Sequence, residues 1–365
     1  MIKNKGGVKV KLSKLELINF IQKNPNTWEE KLSRQPYKLT IKRKSNFILF
    51  YYNQFKSDFN EKLVRESRGI ILEDKTFKVL AYPFDKFFNY GENLAVNIDW
   101  NSAKVLEKVD GSLIKMWNYK NKWMVSTMQT IDAKDATLPI NPHFSNYYDL
   151  FMSVAKKKID FSRLNKNYTY IFELISPYNR VVVDYPSPDI YHPGTRNNQT
   201  LKEIEVDIGV KKPRQYSFES LKDVINMAKN LPLDKEGYVV VDKYYNRVKI
   251  KSPAYVAAHH LRNDIGGNKI LELVLSNEQD EFLVYFPEYK EDIKKVEDKL
   301  NVLINKIDKD IEKAKGKRKL NRKEYAEWAK KQEYPAILFQ YYDGKKVSGE
   351  DYVRSLPIKK IKKML

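Results

Sequence analysis

The sequence predicts an α+β protein: a domain of mixed, mainly antiparallel sheets with flanking helices over residues 1 to 255, followed by an all-α domain over 256 to 365. Three observations lead there. Residues 47 to 255 alternate short β-branched and aromatic runs with turn residues. Beyond 256 the apolar residues recur every three or four positions instead. The chain has 365 residues, enough for two domains at roughly 100–200 residues each. No Gly-x-Gly-x-x-Gly fingerprint and no Walker loop occurs, so a doubly wound nucleotide fold is not expected.

In chain order, helices are expected at 11 to 23, 146 to 158 and 217 to 230. Strands are expected at Arg68 to Leu72, Val79 to Tyr82, Lys104 to Val109, Leu113 to Trp117 and Trp123 to Thr127. Further strands follow at Tyr168 to Leu174, Arg180 to Val183, Gly237 to Val241 and Arg247 to Lys251. In the second part Ile293, Val296, Leu300, Leu303, Ile307 and Ile311 make one apolar helical face with lysines and acids opposite. That helix stops at Gly316 within the basic run Lys313 to Lys319, which reads foremost as a solvated outer face. Asn321 with Glu324 three residues on forms a capping pair for the next helix, which Pro335 closes.

Lys and Arg number 67 against 47 Asp and Glu, a net charge of +20 that attracts polyanions. Residues 256 to 365 carry 24 basic and 19 acidic side chains and residues 1 to 255 carry 43 and 28, so the excess sits chiefly in the first two thirds. The absence of cysteine excludes disulfides, thiolate metal sites and thiol nucleophiles, and fits a reducing compartment. Met1 to Leu17 lacks a signal peptide's apolar stretch, and no apolar run approaches the ~18 residues of a membrane span. A cytoplasmic protein with no membrane association is expected. Only four histidines occur, at His143, His192, His259 and His260, which leaves almost no material for a histidine metal cluster or a Ser-His-Asp triad.

The chemistry-bearing stretch is Glu107, Lys108, Val109, Asp110, Gly111, Ser112. Strand alternation puts Lys108 and Asp110 on one side, and Gly111 lets the backbone turn or approach a ligand closely. A deprotonated lysine amine can attack phosphorus. Lys249 and Lys251 project from one strand face with Ile250 toward the core, two cations suited to a triphosphate. Glu236 and Gly237 open the preceding strand. Glu173 lies between Phe172 and Leu174, where an unpaired carboxylate is costly unless it binds something. Taken singly, each has an ordinary structural explanation: a charged hairpin, an ion pair, an exposed sheet face.

In this order these stretches resemble the motifs of the covalent nucleotidyltransferases, the superfamily of ATP-dependent ligases and capping enzymes. Lys108 to Gly111 resembles motif I, Phe172 to Leu174 motif III, Glu236 to Val240 motif IV and Val248 to Lys251 motif V. Glu66 to Ile71, Tyr82 to Asn89, Ser176 to Val182 and Lys249 to Ser252 with Tyr255 are similar to the T4-type RNA ligase 1 family in particular. The resemblance implies an adenylyltransferase domain over 1–255 and a helical domain over 256–365 that helps choose the substrate. It implies that Lys108 takes AMP from ATP, passes it to an RNA 5′-phosphate, and that a 3′-hydroxyl displaces AMP to seal single-stranded ends.

By the same resemblance Lys249 and Lys251 hold phosphates, Asp110 orients Lys108, and Glu107, Gly111, Gly237 and Tyr255 belong to the nucleotide site. Arg68 and Lys86 contact phosphate or ribose and Phe88 packs at the nucleotide. Glu173 accepts from the ribose or holds the metal, Glu236 helps position Mg²⁺ (or Mn²⁺) near the phosphates, and Asp280 and Glu281 of the helical domain fall where the family places an acidic pair near the metal. Either Tyr51 or Tyr52 lines the site. A cation of the viral relatives is replaced here by Met128, for which Lys115 or Lys122 are the available substitutes. The implied setting is a monomer that repairs broken tRNA in the cytoplasm of virus- or bacteriophage-infected cells. The alternatives are a capping guanylyltransferase, a DNA ligase, or an RNA-binding protein without catalysis. The first two are disfavoured because no OB-like run of short strands follows residue 255.

Overall fold

The computed structural model describes residues 2–3, 9–10, 15–54, 56–138, 143–260, 267–345 and 347–365, without the side chains of 2, 3, 9, 10, 260, 267–269, 281 and 285. Its chain divides into two compact units, Met1–His259 and His260–Leu365. The boundary expected at 256 falls inside the helix Pro253–His260.

Beside a two-stranded pair, Ile2–Lys3 with Lys9–Val10, three larger sheets build the first unit. The most N-terminal of the three has the order Leu39–Lys44, Phe47–Tyr52, Arg68–Glu73, Val79–Ala81, all antiparallel. Phe47–Tyr52 is apolar on both faces because it is covered on both: five of its six residues are buried. A second antiparallel sheet runs Lys122–Ser126, Ser112–Tyr119, Tyr168–Ile175, Asp189–Asn197, Glu203–Ile204. The third runs Gln215–Tyr216, Lys104–Lys108, Gly237–Val241, Arg247–Lys251, Phe88–Asn89, and only its last pair is parallel. The chain crosses from the third sheet to the second through Val109–Gly111, between Lys104–Lys108 and Ser112–Tyr119. The lysine stretch singled out in the sequence is this crossing.

The flanking helices begin on side-chain caps: Asn146 accepts from Asp149 N ahead of Tyr147–Lys158, and Ser220 from Asp223 N ahead of Leu221–Lys229. Glu16–Lys23 is capped from a distance, since the buried Glu66 carboxyl accepts from Glu16 N at 3.2 Å and Leu17 N at 3.0 Å. Residues 11–14, part of the helix expected there, lie outside the described residues.

Two strand expectations fail for identifiable reasons. Arg180 to Val183 is no strand: Pro177–Asn179 is a single 3₁₀ turn, and Val182 N and Val183 N donate to Asp110 at 3.0 and 2.8 Å instead of to a ladder. Conversely Asp189–Asn197 is a strand despite Pro193 and Gly194. The register against Tyr168–Ile175 slips between Ile171 and Glu173, opposite His192 and Pro193, so the missing Pro N–H falls at a bulge.

In the second unit Lys290–Lys315 is one helix that buries Ile293, Leu300, Leu303, Ile307 and Ile311. Asn321 and Glu324 form the reciprocal capping box of Arg322–Ala329. Pro335 does not end that helix, which stops at Ala329; it opens Pro335–Tyr342 at its first turn, where no N–H is needed. Among the described residues no helix is long and apolar enough to cross a membrane.

Candidate functional site

Register brings the central cluster together. Gly237 lies opposite Lys108 on one side and Lys251 on the other, so the two lysines flank a residue with no side chain. Glu236, one residue earlier and 5% exposed, fills that space with charge: its Oε1 lies 2.6 Å from Lys108 Nζ and 3.6 Å from Lys251 Nζ. Gly237 has φ +140°, and a Cβ there would stand 2.2 Å from Ile250 O and 2.7 Å from Lys251 Cα. Only glycine fits.

Glu173 faces the same cluster from the second sheet. Burial pushes its carboxyl up to about 7, Lys108 and Arg68 pull it back, and Glu236 and Asp110 push it further. Gly111 permits this approach, since a Cβ there would meet Leu174 O at 2.5 Å and Glu173 Cγ at 3.1 Å. Because Glu173 binds its proton more tightly folded than its ordinary value of 4.5, it favours folding at low pH and loses that contribution as pH rises to about 7. Glu173→Gln is therefore expected to stabilise the nucleotide-free protein by up to about 3 kcal/mol at pH 8 and little at pH 5. Urea unfolding at both values checks this, and an equal difference at both would contradict it.

Asp110 departs from the strand alternation expected of it, because the strand ends at Lys108. Its buried carboxylate accepts from Val182 N, Val183 N and, at 2.8 Å, the Tyr255 hydroxyl. It therefore ties the crossing to the 182–185 loop and to the helix that follows the lysine strand. Tyr255 is 2% exposed, packed with Val182 and Val183 behind this knot. Glu107 stands outside the Lys108–Glu236 pair and binds Lys235 at 3.1 Å. A cavity of about 200 Å³ borders Lys108, walled by Glu107, Val109, Val183, Tyr185 and Tyr191. It is smaller than the ~300 Å³ at which ligand pockets usually begin, on the scale of a base rather than a whole triphosphate.

Arg68 approaches the cluster with a buried Nη1 that has no hydrogen-bond partner, an orphaned donor suited to an anionic oxygen. Its guanidinium lies 5.2 Å over the Phe87 ring, and Lys249 Nζ lies 5.6 Å over the same ring. Phe87 was missed in the sequence; its signal was the alternation of Phe87 with Phe88, which cannot tell which ring faces the cations. Phe88 instead is 7% exposed and meets Phe59 edge-on at 6.0 Å. Lys86 joins that aromatic group, 4.7 Å over Phe59 and 5.3 Å over Phe88. Of the two tyrosines, Tyr52 contacts Arg68, while Tyr51 carries Lys42 over its ring at 5.3 Å.

Met128 lies beyond the strand Lys122–Ser126 rather than on it. Of the two proposed substitutes, Lys122 sits at the far end of its hairpin opposite Tyr119. Lys115 is fully buried and donates to the Gly69 carbonyl, beside Arg68; burial lowers its amine to about 7. Gly69 in turn has φ +91°, and a Cβ there would stand 2.7 Å from Met128 O.

Among the described residues no group of three or more His, Asp or Glu side chains is gathered to hold an ion. Mg²⁺ is commonly held by one or two carboxylates with substrate phosphates, and Glu236 lies near enough to Glu173 to push its carboxyl upward. Asp280 is exposed on Gln279–Tyr285 of the second unit, and the Glu281 side chain lies outside the described residues.

A lysine amine paired with a buried carboxylate that a second lysine shares, where the chain crosses between two mainly antiparallel sheets, makes a candidate catalytic site. The family follows from comparison: the chain belongs to the RNA ligase family, whose T4-type model, described as RNA ligase, matches residues 66–255. A protein of Autographa californica nuclear polyhedrosis virus, described as a bifunctional polynucleotide kinase/RNA ligase, is 31% identical over 292 residues, covering 74% of this chain and 42% of its own. An RNA ligase of Rhodothermus phage RM378 is 28% identical over 338 residues, covering 74% of this chain and 76% of its own. The chain thus spans less than half of the first relative's length. An archaeal ATP-dependent RNA ligase (form 1) overlays with a TM-score of 0.48 at 14% identity, covering 78% of both chains.

Proposed function

We propose that this chain is an ATP-dependent RNA ligase that joins 5′-phosphate and 3′-hydroxyl ends of single-stranded RNA. The observation that carries the reading is the Lys108–Glu236–Lys251 arrangement across Gly237. Lys108 Nζ attacks the α-phosphorus of ATP, forming a P–N bond as the P–O bond to pyrophosphate breaks. The Lys108 ammonium gives up one proton to solvent before the attack, and the second passes to Glu236 Oε1, 2.6 Å away, as the P–N bond forms. Lys251, Lys249 and Arg68 are fixed cations for the phosphate charge that builds up, and act strongly because the site is partly shielded from water. Asp110 and Tyr255 position the crossing without touching the nucleotide. A divalent metal at Glu173 and Glu236 would offset charge on the phosphates. AMP then passes to the RNA 5′-phosphate, which frees Lys108, and the 3′-hydroxyl displaces AMP to close the phosphodiester.

The test is incubation with α-labelled ATP or GTP and Mg²⁺, followed by denaturing gels and acid release of the label. An acid-labile adduct from ATP, with sealing of RNA but not of nicked duplex DNA, is the expected result; an adduct from GTP alone would mark a capping enzyme. Lys249→Ala and Lys251→Ala are each expected to lower adduct formation by about 100-fold or more. Wild-type rates in both would refute their assignment. The finer reading, repair of broken tRNA by a monomer, rests on the family resemblance; sealing of anticodon-nicked tRNA in competition with linear RNA, and sedimentation of the active species, test it.

A further inference from the structure

A groove of the first unit lies apart from the lysine–carboxylate cluster. It encloses about 760 Å³, and Lys108, Glu173, Glu236 and Lys251 are all absent from its walls. It begins at Phe87, the ring shared by Arg68 and Lys249, passes Lys86, and ends at the turn Asp242–Asn246. That turn joins the two strands carrying Gly237 and Lys251, about 13 Å of strand from the lysine pair.

Two features of the groove point to a ligand. The first is charge: seven Lys and Arg side chains line it against two carboxylates. Both carboxylates are committed to the inner wall, Glu203 to Arg196 at 3.0 Å and Arg247 at 2.6 Å, and Asp85 to the Tyr82 hydroxyl. Lys62 and Lys202, on the outer rim, are exposed. The second is the turn itself. Buried Asp242 accepts from Tyr244 N at 2.8 Å and Asn246 N at 3.0 Å, and fixes a turn that holds two aromatic rings outward. Tyr244 is 67% exposed and Tyr245 36%, with Lys243 Nζ 5.0 Å over the Tyr244 ring. Exposed rings on a rigid turn beside rim cations form a stacking platform with phosphate contacts, the combination that holds unpaired bases.

We propose that this groove binds single-stranded RNA flanking the end that is being joined. Bases stack on Tyr244 and Tyr245, and phosphates lie against Lys62 and Lys202. The inference rests on the ligase reading for the identity of the strand, but its test does not depend on ligation. Binding of a fluorescent 5′-phosphorylated 12-nucleotide RNA is measured by anisotropy with the full chain, beside a 3-nucleotide RNA and the matching DNA. Tyr244→Ala is expected to weaken 12-nucleotide binding about 10-fold and leave the 3-nucleotide RNA unaffected, while Tyr244→Phe binds as wild type. Lys202→Ala is expected to reduce the salt slope by about one, and Lys229→Ala, on an exposed helix elsewhere, serves as the control. Equal affinity of Tyr244→Ala, Lys202→Ala and wild type for the 12-nucleotide RNA overturns the proposal, as does tighter binding of the matching DNA. Adduct yield with ATP separates the two readings: adduct with unchanged variant binding sinks the groove alone. Variant-sensitive RNA binding without any adduct sinks the ligase reading alone.

Discussion

Lys108→Ala is expected to reduce label transfer from α-labelled ATP to the protein by on the order of 10⁴-fold or more, because it removes the atom that would bond to phosphorus. The fold should survive. Glu236 keeps Lys251 within 3.6 Å, so the substitution does not strand a buried carboxylate without a partner. Lys108→Arg separates the two roles of the residue, since the guanidinium can restore the ion pair but is not a nucleophile at neutral pH. It should therefore be as inactive as the alanine variant while unfolding at the wild-type temperature. Pre-adenylylated RNA offers a further check, because sealing it bypasses Lys108: both variants should retain that step.

Gly237→Ala is expected to be the most damaging single methyl group in the first unit. The added Cβ meets the backbone of the neighbouring strand at Ile250 and Lys251, not the end of a flexible side chain, and φ +140° is itself unfavourable for alanine. A cost of roughly 3 kcal/mol or more follows, which for a unit of this size lowers the melting temperature by about 6–12 °C. The same movement parts the strands that set Lys108 and Lys251 against Glu236, so adduct formation should fall at least 100-fold even at temperatures where the variant is folded. Thermal unfolding and adduct yield, measured on one preparation, report both effects. A variant that melts normally and forms adduct at the wild-type rate would mean that the close three-strand register is not what assembles the site.

Local periodicity made the buried faces of these strands legible in the sequence, while the meeting of Lys108, Glu236 and Lys251 came only from the family resemblance. Val105 and Ile250 alternate with the lysines, and the structure buries these apolar residues and turns Lys108 and Lys251 to Glu236. Phe172 and Leu174 are fully buried around Glu173, as an apolar strand carrying one carboxylate requires. The sequence was least informative where a distant group decides a backbone's course. Nothing near Arg180 to Val183 reveals that Asp110, some 70 residues earlier, takes two of its N–H groups. The bulge that admits Pro193 depends on Tyr168–Ile175, and the parallel Phe88–Asn89 strand on Val248 and Lys249. For the same reason the resemblance named Phe88 while nothing in the sequence singled out Phe87, and the sequence could not choose between Lys115 and Lys122. Glu66 lies in a stretch that matches the family, yet here its carboxyl is the remote cap of Glu16–Lys23. The groove ending in Tyr244 and Tyr245 was invisible because its walls come from segments far apart in the chain.

Covalent attachment of the nucleotide to Lys108 can be read by mass spectrometry of peptides from protein incubated with ATP and Mg²⁺. The peptide containing Lys108 should gain one AMP that is lost in acid and discharged by 5′-phosphorylated RNA. AMP found on another lysine, or an unmodified Lys108 in protein that seals RNA, would contradict it.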